Sequence, residues 1–352
     1  MEDFGLGQIR KSVTKSGGES RYKQIRTGLP YLARKILHTA KRSSNCRGLM
    51  SGAEAGKAAA KLPDFDRFWD YDHPDVTERR FRDLLPAALD SQDLSYFAQL
   101  LTQIARTEGL QGKFQDAHKT LDRVDKALPK TNTKTLIRYL LERGRVYNSS
   151  GKTDEARDAF LKAFDLALKS KEDFYTVDAA HMLGIVETSD KALEWNLKAL
   201  DLAENSNDER ARNWKGSLYN NIGWTYFDQA HYEEALFMFE KALDYRRQQG
   251  NPENIGIARW CVAKALRVLG HIEDAFATQQ ELLQEHQAAG RKSGFVYEEL
   301  AECLLAMGRE QEAEGWFAAA YGELAKDPSV ASDQKRLSRL KTLGKVGLPR
   351  SG

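Results

Sequence analysis

Gly151, Lys152 and Thr153 form the tripeptide that ends a glycine-rich phosphate-binding loop. That loop holds phosphates with backbone amides and needs a glycine five positions before its second glycine, where this chain has Val146. It also follows a β-strand, whereas the residues around Gly151 have the apolar spacing of helices. The tripeptide therefore indicates a turn between two helices rather than a nucleotide site.

The other candidates for catalysis are isolated. Ser149 and Lys152 have the S-x-x-K spacing of a serine nucleophile and its lysine, but no partner motif accompanies them. Near the N-terminus, Gly5 and Gly7 begin a dinucleotide-like pattern whose third glycine is replaced by Arg10. Neighbouring residues supply no set of nucleophile, base and orienting group, so the sequence predicts a protein that is not an enzyme.

Metal-binding residue types are also dispersed. The seven histidines never form an H-x-x-x-H pair with a carboxylate, which is a spacing that helical zinc sites use. Cys46, Cys261 and Cys303 are odd in number and far apart, which is typical of a reducing compartment without disulfides or zinc. The sequence therefore predicts no metal, no cofactor and a cytoplasmic protein.

Composition excludes several classes of protein. The chain has 352 residues, of which 30% are charged and eight are proline, and its mean hydropathy is −0.60. It contains no run of ~18 apolar residues, so no membrane span is predicted. Charged residues are interspersed with alanine, leucine and aromatic residues, which excludes collagen, disulfide scaffolds and disorder along the whole chain.

Charge is distributed unevenly. Residues 1–49 contain eleven basic and three acidic residues, a net charge of +8, which leaves −6 on residues 50–352. The basic segment has three interpretations: an organelle transit peptide, an arm for nucleic acid or membranes, or a disordered tail. Glu2 and Asp3 argue against the first, and Met50 begins a stretch that looks like an ordinary protein start. We expect a disordered tail, which a start-site extension would explain.

A pattern of small residues recurs along the rest of the chain. In five copies a small residue is followed twelve positions later by alanine. The small residues are Ala105, Gly144, Gly223, Ala263 and Ala301, and the alanines are Ala117, Ala156, Ala235, Ala275 and Ala313. A further copy has Gly184 and Ala192 only eight apart. Because apolar residues at helical spacing surround both positions, each copy is predicted to be two amphipathic helices that approach closely at the small residues.

Larger and more flexible residues complete each copy. Between the two predicted helices stands a glycine suited to the left-handed end of a helix, at Gly112, Gly151, Gly270 and Gly308. Four positions after the alanine, three copies have a phenylalanine, at Phe160, Phe239 and Phe317. We expect these rings to fill the gap to the next copy.

These residues resemble the tetratricopeptide repeat, whose pattern is W-x2-L-G-x2-Y followed by Ala, Phe, Ala and Pro. One copy matches it position by position, at Tyr219, Ile222, Gly223, Tyr226, Ala235, Phe239 and Ala242, and Pro129 stands at the family's proline position in the first copy. The resemblance covers about residues 94–325 in six copies. It implies an all-α fold, a right-handed α-solenoid of about six antiparallel helix pairs with capping helices.

Successive alanines are spaced by 36 to 43 residues, more than the 34 of the usual repeat. This long period of about forty residues is similar to the repeats of kinesin light chains and of bacterial peptide-sensing or ATPase-type regulators. The predicted regions are a basic tail at 1–49, an N-terminal capping helix region at 50–93, six repeats at 94–327, and a C-terminal capping helix and tail at 328–352.

The resemblance also implies a binding groove, because positions 2, 5, 6, 9 and 12 of each first helix face the concave surface in the family. Read at these positions, the candidate peptide-binding residues are Arg138, Arg145, His181, Asn220, Asn221, Trp224, Trp260, Lys264 and Arg267. The last copy places Glu298, Glu299 and Glu302 there. The groove is therefore predicted to be cationic, amide-bearing and aromatic in the middle and acidic at its C-terminal end. Asparagine can pair with both groups of a peptide backbone, and Trp and Arg are enriched where binding energy concentrates.

Two features argue against parts of this interpretation of the groove. Asn221 matches an asparagine of chaperone-binding members, but the cations that complete their carboxylate clamp are replaced by Ile257 and Cys261. The clamp is therefore broken. Trp224 and Trp260 are also consistent with core packing between repeats.

Two classes of function follow from the sequence. The first is a non-catalytic protein–protein interaction scaffold or peptide sensor that binds an extended or acidic peptide in the groove. The second is a regulator that associates with nucleic acid through the basic tail, although the negative charge of residues 50–352 would repel phosphates. An enzyme whose site is assembled from several repeats has no positive support. The predicted partner is a protein or peptide, with no membrane.

Overall fold

The computed structural model describes residues 62–327 and 330–347, apart from the side chain of Ser189. All regular structure in these ranges is helical, and consecutive helices pack in pairs. The predicted all-α class of stacked helix pairs is therefore confirmed. The predicted basic tail at 1–49 lies outside the described residues, as does the beginning of the region 50–93. The described residues divide into two compact units after Val186.

The first unit contains residues 62–186. It begins with a 3-10 turn at Phe65–Phe68 and has another at Leu128–Lys130. Its helices are α1 (Pro74–Asp83), α2 (Leu85–Asp90), α3 (Leu94–Leu110), α4 (Phe114–Ala127), α5 (Thr133–Ser149), α6 (Thr153–Lys169) and α7 (Asp173–Val186). α3 pairs with α4 and α5 with α6, while α7 packs on α6.

The second unit contains the described residues from Glu187 onward. Its helices are α8 (Ser189–Asn205), α9 (Glu209–Arg212), α10 (Lys215–Asp228), α11 (Tyr232–Gln249), α12 (Pro252–Val268), α13 (Ile272–Ala288), α14 (Gly294–Ala306), α15 (Glu310–Leu324) and α16 (Gln334–Leu343). α10 pairs with α11, α12 with α13 and α14 with α15, and each pair packs on the next. α16 packs against α15.

Polar side chains define the starts of several first helices. Asp93 accepts a hydrogen bond from the backbone N–H of Tyr96 at the start of α3, and Asn132 accepts one from Thr135 at the start of α5. Asn251 caps α12 in the same way, with proline as the first helical residue. These side chains satisfy donors that a helix leaves open at its N-terminus, which fixes where these three helices begin.

The small residues of the repeat lie where the two helices of a pair meet. A Cβ atom on Gly144 would lie 2.5 Å from Cε1 of Phe160, and one on Gly223 would lie 2.6 Å from the same atom of Phe239. Both phenylalanines are fully buried. Each ring fills space inside its own pair, which only a glycine leaves open; that it also fills the gap to the next pair stays a prediction.

The turn inside each pair is left-handed. Gly112, Gly151, Gly270 and Gly308 have φ angles of 74°, 82°, 91° and 71°, as their positions predicted. In the α10–α11 pair the equivalent residue is Ala230, which has a φ of 61° and is exposed. Its N–H bonds the carbonyl of Phe227, so the turn is the same despite the Cβ atom.

Ala230→Gly is expected to raise the free energy of unfolding by about 1 kcal/mol, because the left-handed conformation costs alanine ~1–2 kcal/mol and the freer unfolded chain offsets part of this. Urea denaturation measures the change. Gly270→Ala, at the same place in the next pair, is the matched control and should lose a similar amount. Equal stability of Ala230→Gly and the wild type would contradict this account of the turn.

Candidate functional site

Two cations of the predicted site in the second unit share one buried carboxylate. Lys264 and Arg267 lie one turn apart on α12, and Glu299 lies on the neighbouring first helix, α14. Lys264 Nζ donates to Glu299 Oε1, and Arg267 Nε donates to Glu299 Oε2 at 2.8 Å. Lys264 also lies 5.2 Å from the ring centre of Trp260. We call Lys264, Arg267 and Glu299 the Glu299 cluster; it carries one more positive than negative charge.

The two cations control the ionisation of the carboxylate. Burial alone would raise the pKa of Glu299, which is 1% exposed, but the attraction of Lys264 and Arg267 lowers this pKa to about 2. Burial opposes the charge of Arg267 as well, yet the carboxylates of Glu299 and Glu302 raise the pKa of Arg267. Glu299 is therefore a carboxylate at neutral pH and Arg267 keeps its positive charge.

The predicted asparagines and tryptophans adjoin this cluster. The Trp224 and Trp260 ring centres are 6.0 Å apart, both residues are buried, and Trp260 Nε1 donates to the carbonyl of Phe295 at 3.2 Å. Both indoles thus belong to the core of the unit. Cys261 Sγ donates to Asn220 Oδ1 at 3.6 Å, one turn before Lys264. Asn220 and its neighbour Asn221 are only partly buried.

The acidic end predicted for the groove is paired with arginines of α16. Arg336 Nε donates to both oxygens of Glu298, at 3.0 and 3.1 Å. Arg339 Nη2 donates to Glu302 Oε2 at 3.0 Å. α16 therefore neutralises two carboxylates for which the sequence analysis predicted no partner. A spacing of 37 or 38 residues between each glutamate and its arginine, about one repeat, was the signal for these pairs.

In the first unit, Arg138 of α5 holds a carboxylate from the segment before α1. Arg138 donates from Nη1 to Asp66 Oδ2 at 2.7 Å and from Nη2 to Asp66 Oδ1 at 2.6 Å. Arg138 Nη1 also donates to the hydroxyl of Tyr175 at 3.0 Å. Burial disfavours the charge of Arg138, but Tyr175 and Asp66 raise its pKa well above the usual value. Sequence reasoning missed Asp66, because it lies 72 residues from its partner.

Arg145 is also engaged inside the first unit. It donates to Glu142 at 3.0 Å and to Asp178 of α7 at 2.5 Å. The same carboxylate, Glu142 Oε1, also accepts a hydrogen bond from Nη1 of Arg106 of α3 at 3.2 Å. His181, the remaining predicted residue of this unit, is 2% exposed. Each predicted cation of the first unit therefore already has a carboxylate partner.

The two buried thiols of the second unit are not activated as nucleophiles. Burial raises the pKa of the Cys261 and Cys303 thiols to about 12, so neither is a thiolate nucleophile at neutral pH. In the described ranges no three His, Cys, Asp or Glu residues come together as a metal site. No helix within them has the length and apolar character needed to cross a membrane.

Comparison with known proteins agrees with the repeat pattern. Two family models described as tetratricopeptide repeat match residues 186–248 and 137–170. The chain therefore contains tetratricopeptide repeats at these residues, and the resemblance seen in its sequence is confirmed. Its long period of about forty residues stays a prediction. No curated protein matches the sequence.

Solved structures share this fold at low identity. The apo form of the quorum sensor NprR from B. thuringiensis is 15% identical, covers 82% of each chain and has a TM-score of 0.58. NprR in complex with its cognate peptide NprX is 17% identical, covers 79% of this chain and 82% of that one, and has a TM-score of 0.51. A signal transduction ATPase with numerous domains and a tetratricopeptide repeat sensor, from Pyrococcus horikoshii, is 14% identical with a TM-score of 0.61. That match covers 75% of this chain but only 43% of the ATPase.

Proposed function

We propose that this protein is a non-catalytic scaffold or peptide sensor that binds an extended, acidic peptide on its first-helix faces. The observation that carries the proposal is the Glu299 cluster, in which two cations share one carboxylate one helical turn after Cys261, whose thiol contacts Asn220. A similarly folded protein, NprR, has been crystallised with its cognate peptide, which supports this class of function.

The peptide would be recognised in two ways, its carboxylate by charge and its backbone by hydrogen bonds. A carboxylate of the peptide would meet the excess positive charge of Lys264 and Arg267, since charge-assisted hydrogen bonds are the stronger kind. The side chain of Asn221 would pair with the peptide backbone through its donor and its acceptor. Arg138, Arg145 and His181 of the first unit belong to the proposal as further contacts. An acidic ligand there would compete with the carboxylates that already hold both arginines.

The proposal is tested by titrating the full chain with two fluorescent extended peptides, one rich in glutamate and the other with glutamine in its place. The glutamate peptide should bind more tightly, and its affinity should fall as salt is raised, because exposed charges are screened. Equal affinities for both peptides would refute the preference for acidic ligands. Salt-sensitive binding of nucleic acid instead would favour the alternative role of the basic tail.

Asn221→Ala and Lys264→Met should each weaken binding of the glutamate peptide roughly 5- to 30-fold, about 1–2 kcal/mol, because each removes one hydrogen bond to the ligand. Methionine is similar in length to lysine and leaves Glu299 paired with Arg267, so the fold should be preserved. Isothermal titration calorimetry measures the affinity. Lys241→Met, an exposed lysine on the second helix α11, is the matched control. Wild-type affinity in both test variants would contradict this site.

A further inference from the structure

The segment before α1 lies against the first helices of the first unit. Asp66 makes the two-pronged contact with Arg138 of α5, at 2.6 and 2.7 Å. Trp69 Nε1 donates to Gln103 Oε1 of α3 at 3.0 Å. Arg106 of α3 lies 5.6 Å from the ring centre of Trp69. Within eight residues the segment thus contacts two successive first helices.

The residues it contacts are those at which a peptide ligand is expected. Arg138 belongs to the predicted site. Gln103 and Arg106 stand at the same distances from the small residue Ala105 as Glu142 and Arg145 do from Gly144 in the next repeat. All are held on first helices, so the segment occupies the ligand-facing positions of this unit.

We propose that this first-helix face is a recognition surface for aromatic, acidic peptides, and that Asp64–Tyr71 is its intramolecular occupant. A peptide of the same chemistry, supplied by another protein, displaces this segment. The proposal rests on the peptide-binding function above and shares Arg138 with it, but the Glu299 cluster and Asn221, on which that function is tested, lie in the other unit.

The chemistry of the contacts selects such a peptide. The fork of Arg138 matches a carboxylate and takes both of its oxygens. Arg106 lies over the stacked pair of Trp69 and Tyr71, at 5.6 and 5.7 Å from their ring centres, where a guanidinium is attracted to the π-face. The carbonyl of Gln103 accepts the indole N–H. A ligand that reproduces all three contacts carries a carboxylate three residues before a tryptophan.

Covering the end of the helix stack does not require these polar contacts. That role is met by apolar packing, as in Trp69 against Phe81 with ring centres 5.3 Å apart and Phe65 against Phe81 at 6.2 Å. The carboxylate of Asp66 adds nothing to it. The Asp66 side chain is 43% exposed although Arg138 is almost buried, so water and competing ligands reach the ion pair.

Tethering sets how much the segment inhibits binding. A segment joined by a short linker acts at an effective concentration of about 1 mM, so releasing it should strengthen binding of a peptide with a dissociation constant of about 100 µM roughly tenfold. Asp66→Lys places a cation against Arg138 and should release the segment. Asp75→Lys makes the same charge change outside the segment, on α1, where the exposed Asp75 pairs with Arg79 rather than with Arg138.

The probe is a fluorescent peptide with the sequence of residues 62–72, and its binding to the full chain is followed by anisotropy. Asp66→Lys should bind the probe about tenfold more tightly than Asp75→Lys and the wild type. Adding Arg138→Met to Asp66→Lys should remove that gain. Equal binding by the two lysine variants, or a gain that survives loss of Arg138, would overturn the proposal. Loss of glutamate-peptide binding in Asn221→Ala reports on the second unit and leaves this test unaffected.

A second measurement uses the wild-type chain, so it does not depend on how a variant folds. Trypsin cleaves after Arg67, whose side chain is 79% exposed and lies in the middle of the segment. Excess probe with glutamine in place of Arg67 should accelerate this cleavage severalfold by displacing the segment. The same peptide with asparagine in place of Asp66 should have little effect. No acceleration by the first peptide, or equal acceleration by both, would refute displacement at Arg138.

Discussion

Glu299→Gln is expected to lower the free energy of unfolding at pH 7 by about 3 kcal/mol. The pKa of Glu299 falls from 4.5 to about 2 on folding, and each unit of such a shift corresponds to ~1.4 kcal/mol. Glutamine has nearly the same shape, but it leaves Lys264 and Arg267 beside each other without their carboxylate. Breaking a buried ion pair in this way typically costs about 3–5 kcal/mol. Urea denaturation of the full chain measures the loss.

The pH dependence separates the ion pair from simple packing. Because the folded-state pKa of Glu299 is depressed, its contribution is present above the unfolded value of 4.5 and is lost as the pH falls towards 2. The wild type should therefore lose stability more steeply than Glu299→Gln between those pH values, and the two should converge near pH 2. Glu240→Gln, an exposed change on α11, serves as the control. Parallel pH profiles for wild type and Glu299→Gln would mean that the cluster contributes little.

The helix pairs could be predicted because the features that define them are local. Gly144 and Ala156 lie twelve residues apart on adjacent helices, and the turn at Gly151 stands between them. Close approach of two helices needs small residues, and a left-handed turn favours glycine, so both constraints appear directly in the sequence. The role of Phe160 was harder to predict, since sequence alone does not distinguish the space inside a pair from the space between pairs.

The charges of the candidate site were assigned to the correct helices but not to their partners. The sequence analysis assigned Lys264 to a cationic middle of the groove and Glu299 to its acidic end. In the structure the two form an ion pair, although they lie 35 residues apart in the sequence. Arg106 and Glu142 do the same across 36 residues in the first unit. A cation and a carboxylate about one repeat apart therefore indicate an ion pair between neighbouring first helices.

Other contacts of the site leave no such periodic signal. Asp66 reaches Arg138 from a segment outside the repeats. A charge on an irregular segment has no register from which its partner can be deduced. Only the three-dimensional path of residues 62–72 brings it to the face of α5.

Gly223→Ala is expected to lower the free energy of unfolding by about 2–3 kcal/mol. The new Cβ would lie 2.6 and 2.7 Å from two carbons of the Phe239 ring, closer than carbon atoms pack. Phe239 is fully buried against Trp224, with ring centres 5.1 Å apart, so it has no room to withdraw. Overpacking of this kind costs ~1–3 kcal/mol, more than the ~1 kcal/mol that alanine gains over glycine in a helix.

Two further variants identify the ring as the cause. Gly256→Ala on α12 is the matched control, because its Cβ would lie 3.7 Å from Leu282, an ordinary contact. It should raise the free energy of unfolding by up to about 1 kcal/mol through helix propensity alone. Phe239→Leu should cost the wild type stability but little in the Gly223→Ala background, since the smaller side chain makes room for the methyl group. Additive losses in the double variant would show that the glycine is required for a reason other than the ring, and the argument for close packing at this position would fail.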